Sequence, residues 1–148
     1  MDLNWQIKRF KALSAADLYQ VLQLRSEVFV VEQNCVYQDI DGKDLKALHL
    51  IGNINGKVAA YARLFNAGDY FEECSIGRVV VAYEFRKMKL GHDLMRQAIL
   101  AIEQNFGSTQ ITISAQLYLK NFYEGHGFKV IGEPYPEDDI PHIRMEKS

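Results

Sequence analysis

The sequence predicts a mixed α/β (α+β) domain: a mostly antiparallel sheet flanked by helices, antiparallel in its first half and partly parallel in its second. Three observations carry this. Two apolar runs, His49 to Ile54 and Val58 to Phe65, flank Asn55-Gly56, a strong signal for a two-residue hairpin turn. Leu94, Met95, Ala98, Ile102 and Phe106 recur at helical spacing. Strand-like and helix-like segments alternate in the second half only, where parallel connections become possible. With 148 residues, 48% of them hydrophobic and 24% charged, the chain suits one domain over residues 1–148 whose core needs no covalent staple.

The elements follow in order. Trp5 to Phe10 alternates apolar and polar residues and reads as a short strand. Ser14-Ala15-Ala16-Asp17 resembles a capping box with Asp in the Glu position. It opens a helix with Leu18, Val21, Leu22, Arg25 and Val28 on one face, expected to fray near Phe29 to Val31. Glu32 to Leu45 is polar and irregular, with a turn at Asp41-Gly42. After the hairpin and a turn near Gly68-Asp69, Ser75 to Val81 is β-rich and reads as a central strand. The helix of about four turns that contains Leu94 stops at Gly107. Gln110 to Ser114 is a strand and Leu117 to His126 a short helix. Phe128 to Ile131 is a strand that Pro134 and Pro136 are expected to break, and His142 to Met145 is a last one.

Bulk properties narrow the function. The net charge of −2 gives no general attraction to nucleic acid or to an anionic membrane surface. No apolar run reaches membrane-spanning length, and the first residues lack a signal-peptide core. Cys35 and Cys74 stand apart, without metal-ligand spacing, which fits reduced thiols in a cytoplasmic protein and no metal centre. Neither a P-loop nor a GxGxxG motif after a strand is present.

The informative unit is strand, basic turn, helix: Ile76 to Val81, then Ala82 to Gly91, then the long helix. A helix N-terminus offers unpaired N–H groups and the positive end of a dipole, which together bind phosphate. Arg86, Lys87 and Lys89 add positive charge there. On pattern alone the same three residues read first as solvated charges on a surface turn.

Arg86-x-x-Lys-x-Gly91 resembles the pyrophosphate loop of the GNAT superfamily of N-acetyltransferases, and Val79-x-Val81 resembles the strand before it. Downstream, Tyr123-Glu124-Gly125-His126-Gly127-Phe128 is similar to the family's Tyr-x-x-x-Gly-Phe motif. VFVVEQNCVYQDIDGKD and DDIPHIRM further resemble the small ElaA-like branch. The resemblance covers nearly the whole chain. It implies a sheet whose central strands splay to admit acetyl-CoA as cosubstrate. Val79, Val80 and Val81 would pair with the pantetheine arm, and Arg86, Lys87, Met88, Lys89, Leu90 and Gly91 would hold the pyrophosphate. The loop departs from the pattern at Lys89, where the family has glycine. A lysine there still offers its N–H if its φ is helical, as expected at a helix start.

Acetyl transfer to an amine needs a neutral nucleophile, a stabilised oxyanion and a proton for the leaving thiolate. The resemblance implies that the Val79 or Val80 N–H faces the thioester carbonyl and that Tyr123 is the acid. On spacing alone, Tyr123 with Leu119 and Phe122 also reads as packing. Candidate bases are Glu32, Asp39, Asp41, Glu73 and His142; Glu73 begins the strand where some members of the family keep a carboxylate and reads equally as a solvated strand end, and His142 offers an imidazole. Glu32, Asp39 and Asp41 also lie in acidic loops, with Asp44, Glu72, Glu137, Asp138 and Asp139, that would attract a cationic amine, either a small molecule or a side chain. The rival reading is a non-catalytic acyl-CoA-binding module.

Overall fold

The computed structural model describes residues 3–148. Strands β1 (Leu3–Arg9), β2 (Leu48–Ile54), β3 (Lys57–Phe65) and β4 (Ser75–Val81) form one antiparallel sheet in chain order. The Asn55-Gly56 turn has φ of 51° and 80°, as a primed hairpin turn requires. Gly52 faces Trp5 across the β1–β2 ladder, and a Cβ there would lie 2.7 Å from the indole ring. Glycine at that position is what lets Trp5 lie flat on the sheet.

Helix α1 (Ala15–Arg25) is capped as its sequence indicates: the Asp17 N–H donates to Ser14 Oγ at 3.0 Å. Fraying at Phe29 to Val31 does not occur. The chain widens instead into a π-helical stretch, Ser26–Glu32, that keeps Val28 in the core. Helix α2 (Leu90–Phe106) buries Leu94, Met95, Ala98, Ala101 and Ile102 against one face of the first sheet. Val21, Leu24 and Val28 pack on the other face over Ile51, Tyr61 and Val80. Strand β3, covered on both faces, is buried from Ala59 to Phe65.

A second sheet holds β5 (Ile111–Gln116), β7 (Ile140–Lys147) and β6 (Lys129–Glu137) in that order. Between β5 and β6 a 3₁₀ turn, Leu117–Leu119, leads into the short helix α3 (Lys120–Glu124). The prolines do not end β6. Its ladder shifts register between Ile131 and Tyr135, with Gly132 at φ 75°, and then resumes to Glu137. Strand β6 lies at the sheet edge, where a missing donor is tolerated. The β6–β7 turn, Asp138-Asp139, takes φ of 51° and 63° without glycine.

The expected single sheet is therefore two. Strands β4 and β5 run parallel and meet only at the bridge between Cys74 and Ile111, where the Thr112 N–H donates to the Cys74 carbonyl at 2.8 Å. Beyond it they diverge.

Candidate active site between the splayed strands

The divergence opens a cleft of about 440 Å³, within the range of small-molecule sites. Strand β4 forms one wall. Its register against β3 slips: Gly77 faces Arg63 and Val80 faces Tyr61, so Arg78 and Val79 together oppose Ala62. This is a β-bulge, with Arg78 at φ 50°, and it takes backbone groups out of the ladder beside the cleft. Val79, Val80 and Val81 all line the opening.

The segment expected from the sequence to hold the pyrophosphate follows as a 3₁₀ stretch, Tyr83–Met88. Lys89 has φ 56° and ψ 37°, and its N–H donates to the Arg86 carbonyl at 3.2 Å. The expectation of a helical φ with a free amide is thus corrected. Lys89 occupies the left-handed conformation that glycine adopts without cost, and its amide closes the turn. The unpaired amides at this end belong to the first turn of α2, from Leu90 onward. Leu90 and Gly91 line the cleft, as does Arg86, whereas Lys87 and Lys89 point to solvent and Met88 packs beside Leu90. Arg86 donates to the Val81 carbonyl at 3.2 Å and pairs with Glu32 at 2.8 Å. Two residues read from the sequence as cofactor-side and acceptor-side therefore hold one another. Next to Glu32, Gln33 bonds Gln116 of β5 through both amides.

Asp39 and Asp41 do not stand free to receive an amine. Asp39 is buried and accepts from Arg25 at 2.9 Å, Arg78 at 2.7 Å and the Tyr37 hydroxyl at 2.9 Å. Asp41 takes a two-pronged contact from Arg63 at 2.7 and 2.8 Å. Burial works against the Asp41 charge, but Arg63, the Lys43 amide and Arg78 outweigh it and hold its carboxyl well below the usual range. Asp44 bridges Arg25 and Arg63 at 2.8 and 3.0 Å. Beneath it His49, wholly buried, donates through Nε2 to the Asp44 carbonyl at 2.9 Å and accepts from the Tyr61 hydroxyl at 2.6 Å. Burial depresses the His49 pKa. Glu73 is likewise elsewhere: it accepts from Thr112 Oγ at 2.6 Å and is absent from the cleft wall.

Tyr123 and His142 do reach the cleft. Tyr123, on α3, is 6% exposed, and burial first, then the Tyr118 charge, pushes its phenol well above the ordinary value. It stays protonated across the physiological range. His142, on β7, is 7% exposed. Its Nδ1–H donates to the Ile140 carbonyl at 2.7 Å, which leaves Nε2 as the basic nitrogen of the neutral ring, 3.4 Å from Glu137. Ser114 of β5 touches both the Tyr135 hydroxyl and, at 3.2 Å, Glu137. Cys35 donates its S–H to the Asp138 carbonyl at 3.2 Å, and burial, then Asp138 and Asp139, raise its pKa, so it is not an activated nucleophile.

Sequence reasoning missed Arg78, Ser114 and Tyr135 and gave Glu137 only a place in an acidic loop. The alternation of Ile113 with Ser114 and Gln116 was the available signal, since both polar residues face the opening. Among the described residues no group of acidic, His and Cys side chains is placed to hold a metal, and no helix is long and apolar enough to cross a membrane.

A family model described as an acetyltransferase (GNAT) domain matches residues 13–148. The chain is 42% identical to the protein ElaA of Escherichia coli over 147 residues, 98% of this chain and 96% of that protein. The crystal structure of Escherichia coli ElaA superposes with a TM-score of 0.92 at 41% identity, covering 99% of this chain and 100% of that one. An acyl-CoA N-acyltransferase from Pseudomonas aeruginosa superposes at 0.94 with 42% identity over the same shares. The AHL synthase LasI, 16% identical, shares the fold at a TM-score of 0.77 over 98% of this chain and 89% of that one.

Proposed function

Because the chain belongs to the GNAT acetyltransferase family, whose members carry out acyl-CoA-dependent acyl transfer, we propose that it moves the acetyl group of acetyl-CoA onto a primary amine by direct attack. The observation that carries the reading is the convergence of three features on one cleft: the β4 bulge, the open first turn of α2, and the buried Tyr123 where β4 and β5 part.

The residues present fit acetyl-CoA. The first amides of α2 receive the pyrophosphate with the dipole behind them. Arg86, freed from Glu32, adds a guanidinium suited to phosphate oxygens. The backbone of Val79 to Val81 lies alongside the pantetheine arm, and an N–H of the bulge polarises the thioester carbonyl. The acceptor enters from the side of Ser114, Glu137 and His142.

His142 acts as the base. An alkylammonium of pKa ~10.4 must lose a proton before attack, and at pH 7 that alone costs roughly 4.6 kcal/mol. Nε2 of His142 takes this proton, and Glu137 at 3.4 Å stabilises the imidazolium that results. The amine nitrogen then bonds to the thioester carbon, the C–S bond breaks as the Tyr123 hydroxyl protonates the departing thiolate, the nitrogen's remaining extra proton returns to the Tyr123 phenolate, and the His142 imidazolium releases its proton to solvent. Burial that disfavours a phenolate also disfavours a thiolate, and so raises the proton affinity of the sulfur leaving beside Tyr123. Because their arginines occupy Asp39 and Asp41, neither takes part in binding the amine.

Turnover of acetyl-CoA, followed by thiol release over a panel of primary amines, tests the reading. Acetylated product is expected. Binding of CoA with no turnover on any amine would favour the non-catalytic binding module, and no binding of CoA would overturn the reading altogether.

A further inference from the structure

We infer that Glu137, held in place by Ser114 and Tyr135, is the seat for the ammonium of a protonated aliphatic amine and so sets the acceptor class of the cleft. This rests on the acyl-transfer reading above and assigns its acceptor end.

Proton bookkeeping leads to it. Ser114 has one hydroxyl proton and two partners, Tyr135 and Glu137. A carboxylate can only accept, so Ser114 donates to Glu137 and the Tyr135 phenol donates to Ser114. The relay fixes one oxygen of Glu137. The other faces Nε2 of His142 at 3.4 Å. Because Nδ1 of His142 already donates to the Ile140 carbonyl, neutral His142 presents a lone pair on Nε2. Two acceptors then converge on one point with no proton between them. A group carrying at least two N–H donors and a positive charge completes that arrangement. A primary ammonium has three, one each for Glu137 and His142 and one to spare.

The charge pattern of the cleft agrees. Arg63 and Arg78 are neutralised by Asp39, Asp41 and Asp44, and Arg86 by Glu32. Among the described residues, neither Glu137 nor Asp138 is in ion-pairing distance of a lysine or arginine. Net negative charge in the cleft therefore resides at this one end. The end is also braced, since Cys35 ties the Asp138 carbonyl to the chain that follows the π-helical stretch. With His142 as base, the seat sets a substrate N–H on the nitrogen that takes its proton before attack.

The test uses the full chain with acetyl-CoA saturating and two probes: cadaverine, which arrives as an ammonium, and methoxyamine, which is neutral at pH 7.5. Glu137→Gln is expected to raise KM for cadaverine about tenfold, the low end for a hydrogen bond to a charged group because the side chain is 43% exposed. Because Glu137 also backs His142, the variant's kcat/KM for methoxyamine is expected to fall too, but by at least about fivefold less than for cadaverine, while its calorimetric Kd for CoA should stay within about twofold. Ser114→Ala should raise the cadaverine KM by a smaller factor with little change in kcat, and Ser114→Thr should restore it, as expected of a positioning residue. Equal losses on both amines, or no loss on cadaverine, would overturn the seat. Calorimetric binding of cadaverine to the CoA-loaded protein reads the same site without turnover. Binding that Glu137→Gln abolishes supports the seat even if no acetylated product forms, in which case only the acyl-transfer reading fails. Wild-type protein that does not bind cadaverine, or a Glu137→Gln variant that binds it unchanged, overturns the inference.

Discussion

Replacing Lys89 separates two contributions that the sequence motif confounds. At φ 56° and ψ 37° the residue lies close to the ideal left-handed region, where a Cβ costs about 1–2 kcal/mol. Lys89→Gly removes that cost but gives the unfolded chain more freedom, worth about 0.5–1 kcal/mol. Lys89→Ala keeps the Cβ and its cost. Both remove the ammonium. The difference between the two variants therefore isolates the backbone: Lys89→Gly should be more stable than Lys89→Ala by about 0.5–1 kcal/mol, or on the order of 1–4 °C in Tm for a chain this long. Urea unfolding at matched m-values measures it directly. Against wild type, CoA titrations on either variant measure the ammonium alone, because the Lys89 amide is engaged with the Arg86 carbonyl in all three. The two should have equal Kd for CoA. Lys89→Pro, whose φ is fixed near −65°, cannot adopt this turn and should disrupt the start of α2 by about 3 kcal/mol or more. A Lys89→Ala variant as stable as Lys89→Gly would refute the left-handed assignment.

Tyr123→Phe should lower kcat by roughly a hundredfold while leaving the Kd for CoA nearly unchanged, in stopped-flow assays with calorimetry alongside; an unchanged kcat would return Tyr123 to a packing role. Arg25→Met leaves three clustered carboxylates with two arginines, one buried negative charge uncompensated, and should destabilise the fold by about 3–5 kcal/mol in urea. His49 gives a pH signature. Its folded pKa is lowered, so as pH falls below about 6.5 the unfolded chain takes the proton first, and stability drops until the folded value is passed. The loss through this group is at most about 1.4 kcal/mol for each pH unit in that window. His49→Gln should flatten the urea midpoint between pH 7 and pH 5, and an unaltered slope would assign it to another group.

How much of this was legible in the sequence depends on which interactions are local. Capping at Ser14, the Asn55-Gly56 turn and the stripe from Leu94 to Phe106 are settled within a few residues, and the structure follows them. The widening of α1 at Ser26–Glu32 was invisible, because a π turn is stabilised by what its side chains reach: Val28 the core, Gln33 the opposite strand. Pro134 and Pro136 misled for the same reason, since their tolerance depends on β6 being an edge strand. At the site, Tyr123 and the strand–turn–helix unit were found through motif resemblance, whereas Ser114 and Tyr135 come together only through the pairing of β5 with β7 and β7 with β6.

The acidic segment after α1 shows most clearly how composition can point to the wrong role. Asp39, Asp41 and Asp44 meet Arg25, Arg63 and Arg78 in a six-membered ion cluster whose formal charges cancel. A buried cluster of this kind is a poor source of net stability, because desolvation offsets most of the attraction. Its geometry shows a different use. Arg78 sits in the β4 bulge at a positive φ that costs energy in isolation, and its guanidinium is clasped by Asp39 at 2.7 Å and by the Asp39 carbonyl at 3.1 Å. Arg25 grips the same carboxylate from α1, and Arg63 holds Asp41 from β3. The cluster thus ties the first helix, the loop and two strands to the one residue whose strained backbone turns β4 out of its ladder. The carboxylates act on the cofactor wall from behind rather than on the acceptor from in front. On the reading proposed above, that leaves Glu137 as the charge the acceptor meets.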